Sequence, residues 1–252
     1  MRIDFHASER ASLGVEMELE LVDATTRQLT SRATPLLEAL AEGAGSSYPK
    51  AKYELLESTI EIITGVCSTV AEARADLEAT LADVAREATR LHVELLCAGT
   101  HPFSHYRDQQ VAPDERYHRL VAEMRWMAER LQIFGVHVHV GVRSAEKAIA
   151  IAGALAAYIP HFLALSASSP FWIGMDTGLA SSRSKVFEGL PTAGVPLPMA
   201  DWAEFEEFMT TLICSGSIGS VREVWWDIRP HPDFGTVELR ICDGLPRLSE
   251  VA

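Results

Sequence analysis

The chain has 252 residues, of which 48% are hydrophobic and 23% are charged, which excludes a disordered or collagen-like chain and leaves room for a substantial core. Asp and Glu number 35 against 22 Lys and Arg, a formal net charge of −13. This acidity argues against a general nucleic-acid binder and fits a soluble protein, or one that gathers carboxylates to hold cations.

From the sequence we expect neither a secretory signal nor a membrane span. Four cysteines without a CxxC pair favour a reducing, cytoplasmic compartment over a disulfide scaffold. The N-terminal MRIDFHASER lacks the apolar stretch of a secretory signal. The longest apolar run, Ala148–Ala167, contains Pro160 and His161 and predicts a buried helix. We therefore expect neither a membrane nor a nucleic acid as a partner.

The first hundred residues predict three strands and two helices. Leu13–Leu21 alternates apolar and acidic residues, which indicates a strand with one apolar and one acidic face. Thr69 and Glu72 have the spacing of a capping box before a long helix that runs to about Leu91. The other predicted elements are a short helix at Pro35–Leu40, a strand at Leu55–Thr64 and a buried strand at Leu95–Ala98.

The rest of the chain mixes helices and strands without steady βαβ alternation. Ser144 is the predicted N-cap of a helix that runs to about Leu165 and that Pro160 kinks or interrupts. Ser168–Pro198 predicts a long irregular segment, either functional or mobile. The other predicted elements are helices at Arg116–Leu131 and Asp201–Ile213, a strand at Phe134–Val142, and strands at Val224–Ile228 and Thr236–Ile241 with a hairpin-like connection. This order favours an α+β fold with a mostly antiparallel sheet.

Two segments carry carboxylates that could bind a metal. Glu16, Glu18 and Glu20 alternate along the first predicted strand and share one face, about 6.6 Å apart. They form either a solvated face or a platform for a divalent cation. In the second strand, Glu61 is flanked by isoleucines, where an unpaired carboxylate is costly to bury. Glu61 is therefore a better candidate for a metal ligand than the exposed carboxylates. Glu54 joins Glu61 on one face only if the chain bends or bulges between them, and an ordinary edge strand is the alternative.

Two later strands carry further candidates. His137 and His139 point to one face and could ligate a metal or donate to a phosphate oxygen, although an unliganded pair is the alternative. Glu238 and Arg240 also share a face. They form either a simple ion pair or a metal ligand beside a guanidinium that neutralises a phosphoryl or carboxylate oxygen.

Taken together, these candidates indicate a site for ATP with Mg²⁺. Four strands each place a metal-capable side chain on one face, and the loop Ser169–Lys185 adds Thr, Ser, Arg and Lys donors suited to anions, with a solvated surface loop as the alternative. The sequence contains no Gly-Lys-Ser/Thr loop and no GxGxxG after a strand. A P-loop or Rossmann nucleotide site is therefore not expected.

The motifs resemble those of the carboxylate–amine ligases of the glutamate–cysteine ligase type 2 family. They occur in order from residue 14 to residue 243: GVEMELELVD, ELLESTIEIITGVC, AGTHPFS, GVHVHVGV, SPFWIGMDTGLASSRSKVF, LPTAGVP and WWDIRPHPDFGTVELRICD. The resemblance implies a glutamine synthetase-like fold, in which a curved, mostly antiparallel sheet holds the ligands on its concave face and carries helices on its outer face. It also implies that ATP and Mg²⁺ or Mn²⁺ are required.

The resemblance implies a role for each matching residue. The implied metal ligands are Glu16, Glu18, Glu54, Glu61, His137 and Glu238. The implied substrate and ATP contacts are His139, Arg183, Lys185, Arg240 and, in the E-x-x-T pattern, Thr64. Of these, Arg183 and Arg240 are the implied catalytic groups, which would stabilise the phosphate and the substrate carboxylate.

The implied reaction joins a carboxylate, the γ-carboxyl of glutamate, to an amine such as cysteine through an acyl phosphate. Residues 1–252 are expected to form a single catalytic domain, and the helical segment with which family members continue is expected to be missing after Ala252. A homodimer that buries sheet edges is a reasonable expectation. The alternatives are a nucleotide-binding protein of the same fold with weak or no turnover, and a metal-dependent hydrolase that uses the same side chains.

Overall fold

A seven-stranded antiparallel sheet organises the chain in a computed structural model that describes residues 2–252. The strands of the sheet are β1 (Leu13–Asp23), β2 (Ala51–Tyr53), β3 (Thr59–Ile63), β4 (Val93–Leu96), β5 (Val136–Gly141), β8 (Ile228–His231) and β9 (Thr236–Leu239). Their spatial order is β2-β3-β1-β5-β9-β8, and β4 pairs with the C-terminal half of β1. A small separate hairpin consists of β6 (Phe171–Trp172) and β7 (Met175–Asp176).

Helices pack against this sheet, and the two that follow β1 and β3 in the chain cover its apolar face. Their bounds are α1 Ala33–Ala44, α2 Val70–Arg90, α3 Glu115–Met124, α4 Trp126–Glu129, α5 Ala145–Ala156, α6 Ile159–Ser166, α7 Arg183–Phe187, α8 Trp202–Cys214 and α9 Leu248–Val251. On β1, Met17, Leu19 and Leu21 are buried in one cluster with Leu36 of α1 and Leu77 of α2. Because side chains alternate along a strand, the intervening glutamates point to the opposite face. The predicted α+β class is confirmed.

The predicted helix caps are present. The Thr69 side chain accepts a hydrogen bond from the Glu72 amide at 3.1 Å, and the Glu72 carboxylate accepts one from the Ser68 amide. Ser144 accepts from the Lys147 amide at the start of α5. The predicted break at Pro160 lies near the start of α6, which is bent by 66° from α5.

No single helix within residues 2–252 is long and apolar enough to cross a membrane. The bent pair α5 and α6 passes that test only when its two helices are counted together.

The strand predicted over Leu55–Thr64 is present only as β3, Thr59–Ile63, and its N-terminal part is not a strand. The chain reverses between β2 and β3, which pair antiparallel with each other. Leu55 and Leu56 are both buried, in a separate cluster with Ala112 and Tyr117, so the alternation of a strand is lost there. This reversal is the bend that Glu54 needs to approach Glu61.

Two other predictions need correction. The strand predicted at Val224–Ile228 begins only at Ile228 and continues through Pro230 to His231. Proline cannot donate a ladder hydrogen bond, but β8 is at the edge of the sheet, where proline is tolerated. The helix predicted over Arg116–Leu131 is divided into α3 and α4 at Arg125, whose φ is +51°.

Candidate active site

The polar face of the sheet brings the predicted residues together by strand register. Glu16 of β1 pairs with His137 of β5, and Glu18 pairs with Glu61 of β3. On the other side of β5, His139 is opposite Glu238, and Glu238 is opposite Arg229. A cavity of about 600 Å³ opens above this face. Its polar lining includes Glu16, Glu18, Lys52, Glu54, Glu61, His137, His139, Arg183, Arg229, His231, Glu238 and Arg240.

Glu16, His139 and Glu238 form the first group of possible metal ligands, the histidine cluster. One ligand atom from each lies within 4.8 Å of the others. His139 Nε2 is 3.4 Å from Glu16 Oε1 and 3.8 Å from Glu238 Oε1. The other ring nitrogen, Nδ1, is 3.0 Å from the Thr236 hydroxyl, which orients the imidazole. The cluster therefore has two carboxylates and an oriented imidazole nitrogen.

His137 lies beside the histidine cluster. Its Nδ1 is 3.2 Å from Glu16 Oε2, and its Nε2 is buried without a hydrogen-bond partner. Burial, and secondarily the positive charge of Arg240, lower the pKa of His137 to about 4, so the ring is neutral near pH 7. The resemblance implies that His137 binds the metal and that His139 contacts the nucleotide phosphates. The geometry instead brings His139 into the group with Glu16 and Glu238.

Burial disfavours the charged form of Glu16, but the adjacent His137 and His139 rings outweigh it and leave the pKa of Glu16 well below its usual value. Glu16 is therefore a carboxylate, and thus a possible metal ligand, near pH 7.

Glu18, Glu54 and Glu61 form the second group, the acidic cluster, whose ligand atoms also lie within 4.8 Å of one another. Burial, followed by the charge of Glu54, raises the pKa of Glu18 to about 8, although Glu18 accepts a hydrogen bond from the Gly135 amide. Burial and the charges of Glu16 and Glu54 also raise the pKa of Glu61. Carboxylates this close repel one another, and a cation between them would relieve the repulsion.

Glu238 is held by two guanidinium groups, of which that of Arg229 is buried and that of Arg240 is partly exposed. Arg229 donates through Nε and Nη2 to Glu238 Oε2 at 2.9 and 2.8 Å, and through Nη1 to the carbonyls of Arg222 and Val224. Arg240 donates to the other oxygen, Oε1. Burial opposes ionisation of Glu238, but Arg240 and Arg229 outweigh it and hold its pKa well below the usual value. Glu238 is therefore ionised at neutral pH.

Arg183 reaches the cavity wall from the start of α7. It is 3% exposed and donates through Nη1 to the Ile241 carbonyl at 3.2 Å and through Nη2 to the Arg240 carbonyl at 3.3 Å. Only its Nε lacks a partner. Gly135 makes room for the guanidinium, because a Cβ there would be 2.3 Å from Nη2. In this arrangement Arg183 supports the backbone that carries Arg240.

Asp243 fixes the loop that precedes Arg183. It is completely buried and accepts hydrogen bonds from the Ser168 amide at 3.0 Å and from the hydroxyls of Ser169 and Ser181 at 2.7 and 2.9 Å. Ser169 also accepts from the Arg183 amide at 3.1 Å. Both ends of the loop are therefore tied to one carboxylate.

Two residues implied by the resemblance lie elsewhere. Lys185 pairs with Glu188 at 2.9 Å on the exposed side of α7. The Thr64 hydroxyl accepts a hydrogen bond from the Val15 amide at 3.0 Å. Neither residue lines the cavity formed by the described residues.

The sequence did not identify several cavity residues, among them Lys52, Arg229, His231 and Phe234. Arg229 and His231 fall in the segment that the sequence predicted to be a hairpin-like connection between two strands. The antiparallel register places Arg229 opposite Glu238, so Arg229 would have been identified once a strand was placed there. The His231 and Phe234 rings stack at 4.2 Å, a contact with no signal in the sequence.

Comparison with known proteins gives the family. Residues 12–252 match glutamate-cysteine ligase family 2. The chain belongs to this family. It is 60% identical over all its 252 residues to the putative glutamate–cysteine ligase 2-1 of Frankia casuarinae, and 56% identical to the putative glutamate–cysteine ligase 2 of Thermobifida fusca. It spans 66% and 63% of the lengths of these two family members.

Solved structures confirm the glutamine synthetase-like fold expected for the family. The chain is similar to a bifunctional glutathione synthetase from Pasteurella multocida, with a TM-score of 0.70 and 15% identity over 95% of this chain and 37% of that one. It is also similar to the glutamate–cysteine ligase of Francisella tularensis in complex with AMP, with a TM-score of 0.66 and 14% identity over 95% of this chain and 62% of that one. At these identities the similarity shows the fold alone.

Proposed function

We propose that this chain carries the active site of an ATP-dependent carboxylate–amine ligase that joins the γ-carboxylate of glutamate to an amine such as cysteine. The observation that carries the proposal is the single cavity in which the histidine cluster, the acidic cluster and two guanidinium groups share one face of the sheet. Membership of the family supports the reaction class. The names of its relatives support glutamate and cysteine as substrates.

The donor atoms of the two clusters fit divalent cations. Carboxylate oxygens suit Mg²⁺ and Mn²⁺, and the free Nε2 of a neutral imidazole is an acceptable further ligand. The Nε2 atoms of His137 and His139 are both buried without a hydrogen-bond partner. The histidine cluster would hold one cation and the acidic cluster a second. When bound, such cations offset the negative charge of phosphate oxygens.

The proposed reaction has two steps. An oxygen of the glutamate γ-carboxylate attacks the γ-phosphorus of ATP, the bond from that phosphorus to the β–γ bridging oxygen breaks, and ADP leaves. The amine nitrogen then attacks the acyl carbon of the resulting acyl phosphate, the carbon–oxygen bond to phosphate breaks, and the nitrogen gives up a proton to solvent. The products are an amide, ADP and phosphate.

Arg240 and Arg183 have different parts in this scheme. Arg240 is on the cavity wall, and its Nε is buried without a partner, which leaves a donor for an oxygen of the transferring phosphoryl group. Two of the donor nitrogens of Arg183 are already hydrogen-bonded to backbone carbonyls. We therefore assign charge stabilisation to Arg240 and support of its backbone to Arg183.

ADP release by the 252-residue chain tests the proposal. With ATP and Mg²⁺, we expect release only when both glutamate and an amine are present, with a panel of amino acids and simple amines identifying the acceptor. Glu16→Gln and Glu238→Gln should lower the rate roughly 100-fold. Glu78→Gln, on the exposed side of α2, is the matched control and should leave it unchanged.

Three results would contradict the proposal. ADP release at the same rate without glutamate would indicate an ATPase. If calorimetry shows that ATP binds but no amine supports ADP release, the alternative of a nucleotide-binding protein with weak or no turnover is favoured. Hydrolysis of an amide without ATP would favour a metal-dependent hydrolase.

A further inference from the structure

Lys52 extends from the edge strand β2 into the acidic cluster. The β2–β3 register places it directly opposite Glu61, and its Nζ is 2.9 Å from Glu61 Oε1. The Glu61 side chain is 6% exposed, whereas that of Lys52 is half exposed. All four lysines of the sequence are within the described residues, and Lys52 alone among them lines the cavity.

The contact between Lys52 and Glu61 is weakly directed. The ammonium is at ion-pair distance, yet Glu61 Oε1 has no hydrogen bond of good geometry. The carboxyl groups of Glu18 and Glu54 lie in the same cluster as Glu61, so the cluster has three acidic groups and Lys52 pairs with only one of them. A divalent cation carries twice the charge of an ammonium and can be coordinated by all three carboxylates at once.

We propose that Lys52 is a built-in counter-ion of the acidic cluster, which a divalent cation displaces from Glu61. The inference rests on the proposed function only in assigning a cation to this cluster. Without metal, the ammonium pairs with Glu61 and offsets part of the negative charge of the cluster. With metal, the flexible four-carbon side chain is free to turn into the cavity, where the proposed reaction brings phosphate and carboxylate oxygens. Metal binding would therefore precede any contact between Lys52 and an anionic substrate.

Acylation of lysines tests the displacement directly. The chain is treated briefly with an amine-directed acylating reagent, with and without saturating Mg²⁺, and the modification of each lysine is measured by peptide mass spectrometry. We expect Mg²⁺ to increase the modification of Lys52 at least threefold, because its ammonium is no longer held by a buried carboxylate. Lys50 is the internal control, because it pairs with Asp76 away from the cavity, and its modification should not change.

Calorimetric titration of Mg²⁺ provides the second measurement. Lys52→Gln removes the competitor and should tighten Mg²⁺ binding roughly tenfold, the order expected for removal of one adjacent positive charge. Lys52→Arg keeps the charge and should bind Mg²⁺ nearly as the unaltered chain does. Lys50→Gln is the matched control and should leave the affinity unchanged, whereas Glu61→Gln should weaken it.

The proposal is overturned if Lys52 is equally reactive with and without Mg²⁺ while the titration shows Mg²⁺ bound. It is also overturned if Lys52→Gln leaves the affinity unchanged, or if Mg²⁺ does not bind the chain. Neither measurement contains ATP, glutamate or an amine. A failure of the proposed ligase activity would therefore appear only in the ADP assay and is distinguishable from a failure of the counter-ion exchange.

Discussion

Glu238 has a guanidinium on each of its two oxygens, and the two arginines differ in what else they contact. Arg229 also donates to two backbone carbonyls, whereas Arg240 keeps a buried Nε without a partner. From this asymmetry we propose that Arg229 supports the fold and that Arg240 contacts the ligand. Both arginines lie on the same face of the sheet as Glu238. The alternation of side chains along a strand therefore could not distinguish their roles.

Lysine substitution should separate the two roles. We expect Arg229→Lys to lower the free energy of unfolding by about 2–4 kcal/mol, because it loses the double contact to Glu238 and leaves buried carbonyls without a donor. Arg240→Lys should cost less than about 1 kcal/mol but slow ADP formation about 100-fold, because a point charge replaces a planar donor. Urea denaturation and single-turnover ADP formation measure the two effects.

Arg222→Gln is the control for stability, because its ion pair with Asp233 is exposed and worth little. If Arg240→Lys unfolds as easily as Arg229→Lys and its rate per folded molecule is unchanged, Arg240 is a structural residue and its catalytic assignment is wrong.

Glu18 should make the metal-free protein less stable as the pH rises. Burial and the charge of Glu54 raise its pKa to about 8 in the folded state, against an ordinary value of 4.5. Between these pH values the folded chain retains a proton that the unfolded chain has lost, so the free energy of unfolding falls with increasing pH. Urea midpoints at several pH values from 6.5 to 8, with a chelator present, should show this decline; at lower pH the lowered pKa values of His137 and His231, about 4, oppose it.

Glu18→Gln should flatten the decline, and the raised pKa of Glu61 accounts for part of the slope that remains. Glu42→Gln, at the exposed end of α1, should leave the slope as it is. An identical slope in Glu18→Gln would mean that Glu18 ionises at an ordinary pH in the folded protein.

At the scale of elements, the loop from Ser168 to Ser182 is closed at its base. Its ends are joined by Asp243 and by the hydrogen bond from the Ser182 amide to the Ser169 carbonyl. The tip instead carries exposed side chains such as Met175. The composition predicted an irregular segment, but it did not show that a buried carboxylate outside the segment would fix its base.

Hydrogen exchange should divide this loop into two parts. Amides at the base should be protected with and without a non-hydrolysable ATP analogue, whereas amides from 173 to 179 should gain protection with the analogue if the loop closes over it. Asp243→Asn should expose the base in both states, because at least one buried serine hydroxyl loses its acceptor. Asp176→Asn, at the exposed tip, is the matched control.

Equal protection of the tip in both states would show a rigid structural loop rather than one that responds to the nucleotide. If hydrogen exchange at the base of the loop is unchanged in Asp243→Asn, the remaining backbone hydrogen bonds are sufficient to hold the base.

The elements that were easiest to predict have a local signal. The alternation of β1 and the capping residues of α2 and α5 depend on neighbours within four positions. The reversal between β2 and β3 depends on Leu55 and Leu56 packing against Ala112 and Tyr117, which are distant in the chain. Pattern reasoning therefore placed Glu61 on the polar face but could not place Glu54 or Lys52 beside it.

At the scale of the molecule, a net charge of −13 should make the protein sensitive to cations in two ways. Any salt screens the self-repulsion, but only a divalent cation held by the clusters stabilises the folded state by binding. At a Mg²⁺ concentration ten times its Kd, we expect the Tm to exceed that in NaCl of equal ionic strength by about 3–6 °C.

The same comparison in a chain carrying both Glu16→Gln and Glu61→Gln is the control. The Tm of this variant should be the same in the two salts. A Tm that is still higher in Mg²⁺ than in NaCl would place the Mg²⁺ site outside the two clusters.

The three partners of β1 determine when during synthesis the sheet can close. Leu13 pairs with Val140, so the N-terminal half of β1 lacks its β5 neighbour until about 127 further residues have been made. At about 5–20 residues per second, this interval is roughly 6–25 s, and the β5-facing edge of β1 stays unpaired on the nascent chain throughout. Because an unpaired edge favours association with other chains, slower elongation between residues 63 and 136 should lower the soluble yield.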